Sequence, residues 1–327
     1  MELPAAFIQT IHNNYGKDGE TFLAALPVSI AEASAQWNLT DVQPVPMLSY
    51  NFVAFAKRRD EVLSPRGVDE TKGQGDPAPT VDVVLKMAVP NREFTSEMAA
   101  LKLFNGEGAC RLLEFDEENS WILLERLNPG EMLATVQDDD EATRIASDVM
   151  KKIWRPIDVG ARYIVPLQGF IQLADWFDGL KRLRKMFDGG TGPLNAKLVE
   201  RVESSVKDLF AENHRPVLMH GDFHHFNVLS SERGWLIIDP KGVIGPAGYE
   251  VGPFMMNPWG DLLNGIDFRL RLKRRIDILH EHLGFERERI REWSLAHGIL
   301  SAWWDIEENK SCEYSLAFAE MMADLEI

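Results

Sequence analysis

Residues 215–242 read RPVLMHGDFHHFNVLSSERGWLIIDPKG, and this stretch decides the fold. Val217–Met219 is a short apolar strand that runs into a loop. The loop offers His220, Asp222, His224, His225 and Asn227. A turn at Ser230–Gly234 follows, then a second apolar strand, Trp235–Ile238, ending in Asp239. Asp and Asn ahead of strands commonly make turns, so His-Gly-Asp alone would say little. A carboxylate and a carboxamide at the end of one strand, with a second carboxylate at the end of the next, is a far more specific set.

Phosphoryl transfer needs that set. An acceptor hydroxyl must be oriented and relieved of its proton, and Mg²⁺ must bridge phosphates and neutralise developing charge. Asp222 can serve the hydroxyl as base or orienter, and Asn227 and Asp239 can hold the Mg²⁺. Protein kinases space the same groups as H-R-D-x-x-x-x-N with a downstream D-F-G. Here His220-Gly221-Asp222 precedes Asn227 by the same interval, and Asp239-Pro240-Lys241-Gly242 lies downstream. His224 and His225 complete no Cys/His/Asp metal set, which favours a structural or phosphate-adjacent role. Glu250 in YEVGP reads as a buried carboxylate that fixes this loop.

Upstream, Asn51–Lys57 and Val81–Val89 carry strand patterns. Between them Arg58–Thr80 is rich in Gly, Pro and charge and predicts an exposed loop. Phe94–Gly106 has helical spacing through Met98, Leu101 and Phe104, and Arg111–Asp116 and Ser120–Leu127 predict two more strands. The first ~130 residues are therefore expected to be strand-rich with one helix. After Asn128-Pro129-Gly130 the pattern turns helical. Asp138–Asp140 caps a helix facing inward through Ala142, Ile145, Ala146, Val149 and Ile153. Further helices are expected at 171–187, at 197–211 through Leu198, Val202, Val206 and Leu209, and from 261 onward. The boundary falls at 128/129: an N-lobe of residues 1–128 and a C-lobe of residues 129–327.

The chain has 327 residues, enough for two lobes, and a composition of 45% hydrophobic and 26% charged residues, as in a globular protein. No apolar run is long enough to span a membrane, and the first residues lack a basic, apolar secretory pattern. Cys110 and Cys312 form no motif, so a reduced, cytoplasmic protein is expected. A net charge of −16 with no basic stripe argues against nucleic acid. It serves solubility, or an acidic cleft for a cationic small molecule. Oligomeric state leaves no mark in the sequence.

HGDFHHFNVL, WLIIDPKG, YEV and MNP, in this order, resemble the aminoglycoside/hydroxyurea phosphotransferase family, in particular its streptomycin 6-phosphotransferase branch. Phe226 departs from the pattern, which usually has Gly there. The resemblance implies an α+β, protein-kinase-like fold, with a five-stranded antiparallel N-lobe sheet and a largely helical C-lobe, and ATP with Mg²⁺ as cofactors. It implies that Lys86, inside VVLKM, grips the α- and β-phosphates, and that Glu97 pairs with that lysine. It places backbone groups of Glu125 to Leu127 against the adenine. No G-x-G-x-x-G exists near the N-terminus, so Ser49, in Leu48-Ser49-Tyr50-Asn51, is the candidate for covering the phosphates.

The acceptor implied is a small molecule, an aminoglycoside or hydroxyurea. The H-G-D loop does not distinguish it from choline, homoserine or a fructosamine, and the missing glycine loop leaves a non-catalytic nucleotide binder as an alternative. For a cationic acceptor, Trp303-Trp304-Asp305 offers aromatics beside acids, and Asp261, Asp267, Asp305, Glu307 and Glu308 are the candidate carboxylates.

Overall fold

The computed structural model describes residues 3–59, 80–157, 169–211, 215–258 and 267–327. The 58–80 stretch lies almost wholly outside these residues, as does Asp261. The chain packs as two units: Met1–Met98 with Cys110–Arg126, and Ala99–Ala109 with Leu127–Ile327.

The first unit begins with α1 (Ala5–Gln36), broken at Gly16, whose φ is +52°. It continues through β1 (Leu39–Pro44), β2 (Phe52–Arg59), β3 (Thr80–Met87), the start of α2 (Arg92–Phe104), β4 (Leu112–Asp116) and β5 (Trp121–Glu125). The strands form one sheet, ordered β1-β2-β3-β5-β4, in which every neighbouring pair is antiparallel. Alternation decides its faces. Phe52, Ala54 and Ala56 of β2 stand opposite Met87, Leu85 and Val83 of β3, and all six are buried. They form one core with Trp121 and Leu123 of β5 and with Phe7, Ile11, Leu26 and Ala33 of α1.

Helix α1 corrects the expectation of a single helix before residue 130. Its buried positions after the break are Gly19, Leu26 and Ala33, with Pro27 inside the helix. Leu23, Leu26, Ile30 and Ala33 recur at the helical interval and pack on this core, a stripe that the strand-rich expectation did not include. A Cβ on Gly19 would lie 2.6 Å from the Ile11 carbonyl oxygen, so the two halves of α1 meet through that glycine. Helix α2 stops where the chain turns left-handed, at Asn105 (φ +47°) and Gly106 (φ +78°).

The second unit contains β6 (Pro129–Met132), α3 (Asp139–Ile153), β7 (Arg155–Pro156), β8 (Ile171–Gln172), α4 (Leu173–Phe177), α5 (Gly179–Met186) and α6 (Ala196–Phe210). Then come β9 (Val217–Met219), β10 (Val228–Ser231), β11 (Leu236–Ile237), β12 (Val243–Gly245), α7 (Val251–Met256), α8 (Asp267–Leu283), α9 (Arg287–Glu307) and α10 (Glu313–Ala323). Asp138 caps α3, accepting the amide N–H groups of Asp140 and Glu141. The helix expected at 171–187 is instead two strand residues and two helices parted at Asp178. In α6 Val202 and Leu209 are buried as expected, Leu198 and Val206 are half-buried, and Val199 joins the buried face. Helix α9 is buried on nearly every side from Ile290 to Trp303 and is the axis against which α6, α7, α8 and α10 pack.

Two small sheets carry the site. One is ordered β11-β10-β6, the other β7-β9-β12-β8. The loop after β9 leads into β10, and the segment after β11 leads into β12.

Candidate functional site

In the first unit, Lys86 of β3 and Glu97 of α2 meet as a buried pair. Lys86 Nζ donates to both carboxylate oxygens of Glu97, each at 2.6 Å, with both side chains 5% exposed. Residues opposite one another on paired strands share a face, so Lys86 shares its face with Val53 and Ile122, its partners on β2 and β5. Ser49 is exposed in the turn between β1 and β2. Glu125 ends β5, where Oε1 accepts the Arg111 amide at 2.8 Å. Leu127, two residues on, is buried and belongs to the second unit.

In the second unit, Asp222, Asn227 and Asp239 come together through backbone pairing. Val228 of β10 stands opposite Ile237 of β11, and the Ile238 amide donates to the Asn227 carbonyl at 3.0 Å. Asn227 and Asp239 therefore sit at the same end of one hairpin. Asp239 is held in the left-handed region at φ +55°, which Asp tolerates better than most residues. Asn227 Nδ2 donates to the Asp222 carbonyl at 3.1 Å. That bond fixes the amide's orientation and leaves the carbonyl oxygen Oδ1 as the group that Asn227 can offer a cation.

The loop that carries Asp222 is tied from three sides. Glu250, fully buried, accepts the His220 amide through Oε2 and the Gly221 amide through Oε1, both at 2.8 Å. Gly221 is at φ +86°, and a Cβ there would lie 2.3 Å from Val243 Cγ2, so only glycine fits. His220 Nδ1 accepts the Asp222 amide at 3.2 Å, which leaves Nε2 to donate to the Ile238 carbonyl at 2.9 Å. The Lys241 amide donates to the His220 carbonyl at 2.8 Å. One neutral imidazole thus couples the Asp222 loop to the segment that carries Asp239. The third tie is His225, stacked on Phe254 at 4.4 Å and accepting at Nε2 from the fully buried Arg275 at 3.3 Å. Arg275 also grips Asp139 and the Asn257 carbonyl. His225 is thereby a packing residue.

The charges follow from these surroundings. Burial pushes the Asp222 carboxyl up, but His224 and Lys241 outweigh it and hold the group below the ordinary carboxylate range. Burial pulls His220 and His297 down to about 4, so both are neutral at physiological pH. Burial raises Glu250 to about 7 against the two amides that favour its charged form. His224 Nε2 lies 3.7 Å from Asp222 Oδ2 and Phe226 is exposed beside it. Among the described residues no group of three or more His, Cys, Asp or Glu is arranged for a metal ion. Mg²⁺ does not require one, because it takes one or two protein oxygens together with phosphate oxygens and water. Asn227 Oδ1 and the Asp239 carboxylate are hard oxygen donors of that kind.

Of the carboxylates expected to receive a cationic acceptor, Asp305, Glu307 and Glu308 have other partners, whereas Asp261 and the side chain of Asp267 lie outside what the structure describes. Glu307 accepts Arg182 Nε at 2.8 Å and Nη2 at 3.0 Å. Glu308 lies 2.5 Å from Lys310 Nζ, and Asp305 accepts the Ser315 hydroxyl at 2.7 Å. Arg182 of α5 and Lys310 pair with two of these charges, which the one-dimensional charge count left open. Residues that sequence reasoning missed are Lys241, Tyr249, His297 and Trp176, all near Asp222. His297 is 75 positions away in the chain, and no local pattern marks it.

Residues 64–309 match the family described as aminoglycoside/hydroxyurea antibiotic resistance kinase. The chain is similar to the streptomycin 6-kinase of Streptomyces glaucescens, 28% identical over 313 residues that cover 95% of this chain and 93% of that one. It is also similar to the hydroxyurea phosphotransferase of Kitasatospora aureofaciens, 27% identical over 330 residues, covering 98% and 86%. A crystal structure of an aminoglycoside phosphotransferase in ternary complex with ADP and hygromycin B superposes with a TM-score of 0.54 at 14% identity, covering 90% of this chain and 97% of that one. That likeness carries the fold, which is protein-kinase-like. No helix among the described residues is long and apolar enough to cross a membrane.

Proposed function

The chain belongs to the aminoglycoside/hydroxyurea antibiotic resistance kinase family, and from that membership we propose that it transfers the γ-phosphoryl group of ATP to a hydroxyl of a small antibiotic, a streptomycin-like aminoglycoside or hydroxyurea, in the cytoplasm. The observation that carries this reading is the convergence of Asp222, Asn227 and Asp239 at one end of the β10–β11 hairpin, locked by His220 and Glu250.

Asp222 accepts a hydrogen bond from the acceptor hydroxyl and aims its oxygen at the γ-phosphorus. Its depressed pKa makes it a weak base, so its larger contribution is orientation; a loose phosphoryl-transfer transition state asks little more before the proton leaves. Asn227 Oδ1 and the Asp239 carboxylate hold Mg²⁺, which neutralises the phosphate charge when bound. Lys86 holds the α- and β-phosphates, and Glu97 holds Lys86 in place. Ser49 covers the phosphates, and the backbone from Glu125 to Leu127 meets the adenine.

Purified protein incubated with ATP and Mg²⁺, and separately with streptomycin, hydroxyurea and choline, tests the reading by mass spectrometry of the acceptor. A single added phosphate on streptomycin or hydroxyurea is expected. Phosphorylation of choline alone would reassign the acceptor class, and nucleotide binding without transfer to any acceptor would remove the enzymatic reading.

A further inference from the structure

Beside Asp222 the second unit sets aromatic rings. Trp176 of α4 and Trp304 of α9 meet at 5.3 Å with their planes 85° apart, and both are half-buried. A Cβ on Gly221 would stand 3.1 Å from Trp176 Cη2, so this indole lies against the residue next to Asp222. Trp176 packs on Tyr249 at 5.9 Å and Trp304 packs on His297 at 6.3 Å. The Tyr249 hydroxyl and His297 Nδ1 are 3.0 Å apart, which joins the two sides of the corner. Asp222 acts electrostatically on both Tyr249 and His297. Trp304 thus borders Trp176, which lies against the residue next to Asp222, while Glu307, Glu308 and Asp305 have other partners.

Resting on the phosphotransferase reading above, we infer that the Trp176–Trp304 corner is the subsite for a cationic group of the acceptor, a guanidinium or ammonium carried on a hydroxylated ring. The quadrupole of an indole attracts a cation over its face, and a planar guanidinium also stacks there. The hydroxyl of the same molecule then reaches Asp222, whose negative charge adds to the attraction. A neutral acceptor such as hydroxyurea gains nothing from the corner. The inference thus selects cationic aminoglycosides within the family's range, and it assigns that choice to aromatic faces.

The test is calorimetric titration of streptomycin, without nucleotide, into the parent, Trp304→Phe, Trp304→Leu and Trp176→Leu proteins, with thermal melts of each. The parent is expected to bind. Each Leu variant should bind about two- to thirtyfold more weakly, the range of a cation–aromatic contact, and Trp304→Phe should retain part of the affinity. In turnover, the Leu variants should raise KM more than they lower kcat. Equal affinity of Leu variants and parent overturns the inference, as does a Trp304→Phe loss as large as that of Trp304→Leu, which would mean packing alone. Should the Leu variants fail to fold, Trp304→Phe decides: affinity equal to the parent's with an unchanged tryptophan fluorescence response to streptomycin overturns it. Phosphorylation of hydroxyurea by a parent that does not bind streptomycin overturns this inference and leaves the phosphotransferase reading intact. Binding of streptomycin without transfer to any acceptor does the reverse.

Discussion

Glu250 Oε1 accepts the backbone N–H of Gly221 at 2.8 Å, at the point where the chain turns left-handed to present Asp222. With Oε2 on the His220 amide, a single buried carboxylate satisfies two consecutive donors that no strand or helix could reach. The shape of the Asp222 loop is thus set from 29 residues downstream.

Removing that carboxylate should loosen the loop without touching substrate. Glu250→Ala leaves two buried amides without their acceptor, each worth about 1–3 kcal/mol. Urea unfolding should show a loss of that order, and kcat should fall with it. Unchanged stability together with unchanged kcat would remove Glu250 from its positioning role.

Asp222→Asn should lower kcat by about two to four decades while nucleotide affinity and melting temperature stay near those of the parent. Because Asp222 is held below the ordinary carboxylate range, the parent's kcat should not fall with the titration of this group between about pH 6 and 8. A kcat in the Asn variant within threefold of the parent would exclude the assignment.

Asp239→Ala should abolish the Mg²⁺-dependence of nucleotide binding and leave the circular dichroism spectrum as it is. The motivating geometry is an acid at the hairpin end shared with Asn227. A Mg²⁺ titration identical in variant and parent would mean that Asp239 is not a ligand.

Glu97→Gln strips the buried Lys86 ammonium of its charged partner. Breaking a buried pair by removing one member costs about 3–5 kcal/mol. The melting temperature should drop and the KM for ATP should rise, while the KM for the acceptor changes less. A rise confined to the acceptor KM would contradict the assigned role.

Stability should rise with pH between about 4 and 6.5. His220 and His297 have folded pKa values of about 4, below the 6.5 of an unfolded His. The unfolded chain therefore takes up protons first as the pH falls, and each histidine withdraws up to about 3 kcal/mol across that window. Glu250 acts in the opposite direction: its folded value of about 7 exceeds the ordinary 4.5, so its contribution weakens as pH rises from 4.5 to 7. Burial also lowers His225, so three histidines stand against one glutamate and leave a net rise. Urea midpoints in the parent should show it, and His297→Gln should flatten it. A parent that is most stable at pH 4.5 would contradict this account of the buried imidazoles.

The sequence by itself determined which residues are the candidates for the chemistry. The placement of Asp222, Asn227 and Asp239 at strand ends was legible because the two apolar strands around them have a local pattern, and phosphoryl transfer, the proposed use, requires hard oxygen donors there. Lys86 and Glu97 were reachable only through the family resemblance, since a lysine in a strand and a glutamate in a helix are common. The N-terminal helix was obscured by its break at Gly16 and by Pro27, although Leu23, Leu26, Ile30 and Ala33 keep a helical interval. The tertiary structure alone decided what surrounds Asp222 and therefore its charge. Lys241, Tyr249, His297 and Trp176 arrive from separate elements, and burial and Coulomb interaction depend on distance in space. It also decided that the acidic run near the C-terminal end of α9 is paired with Arg182, Lys310 and Ser315. A count of charges along the chain cannot show this, because a carboxylate is available to a ligand only when no nearer cation or donor has already taken it.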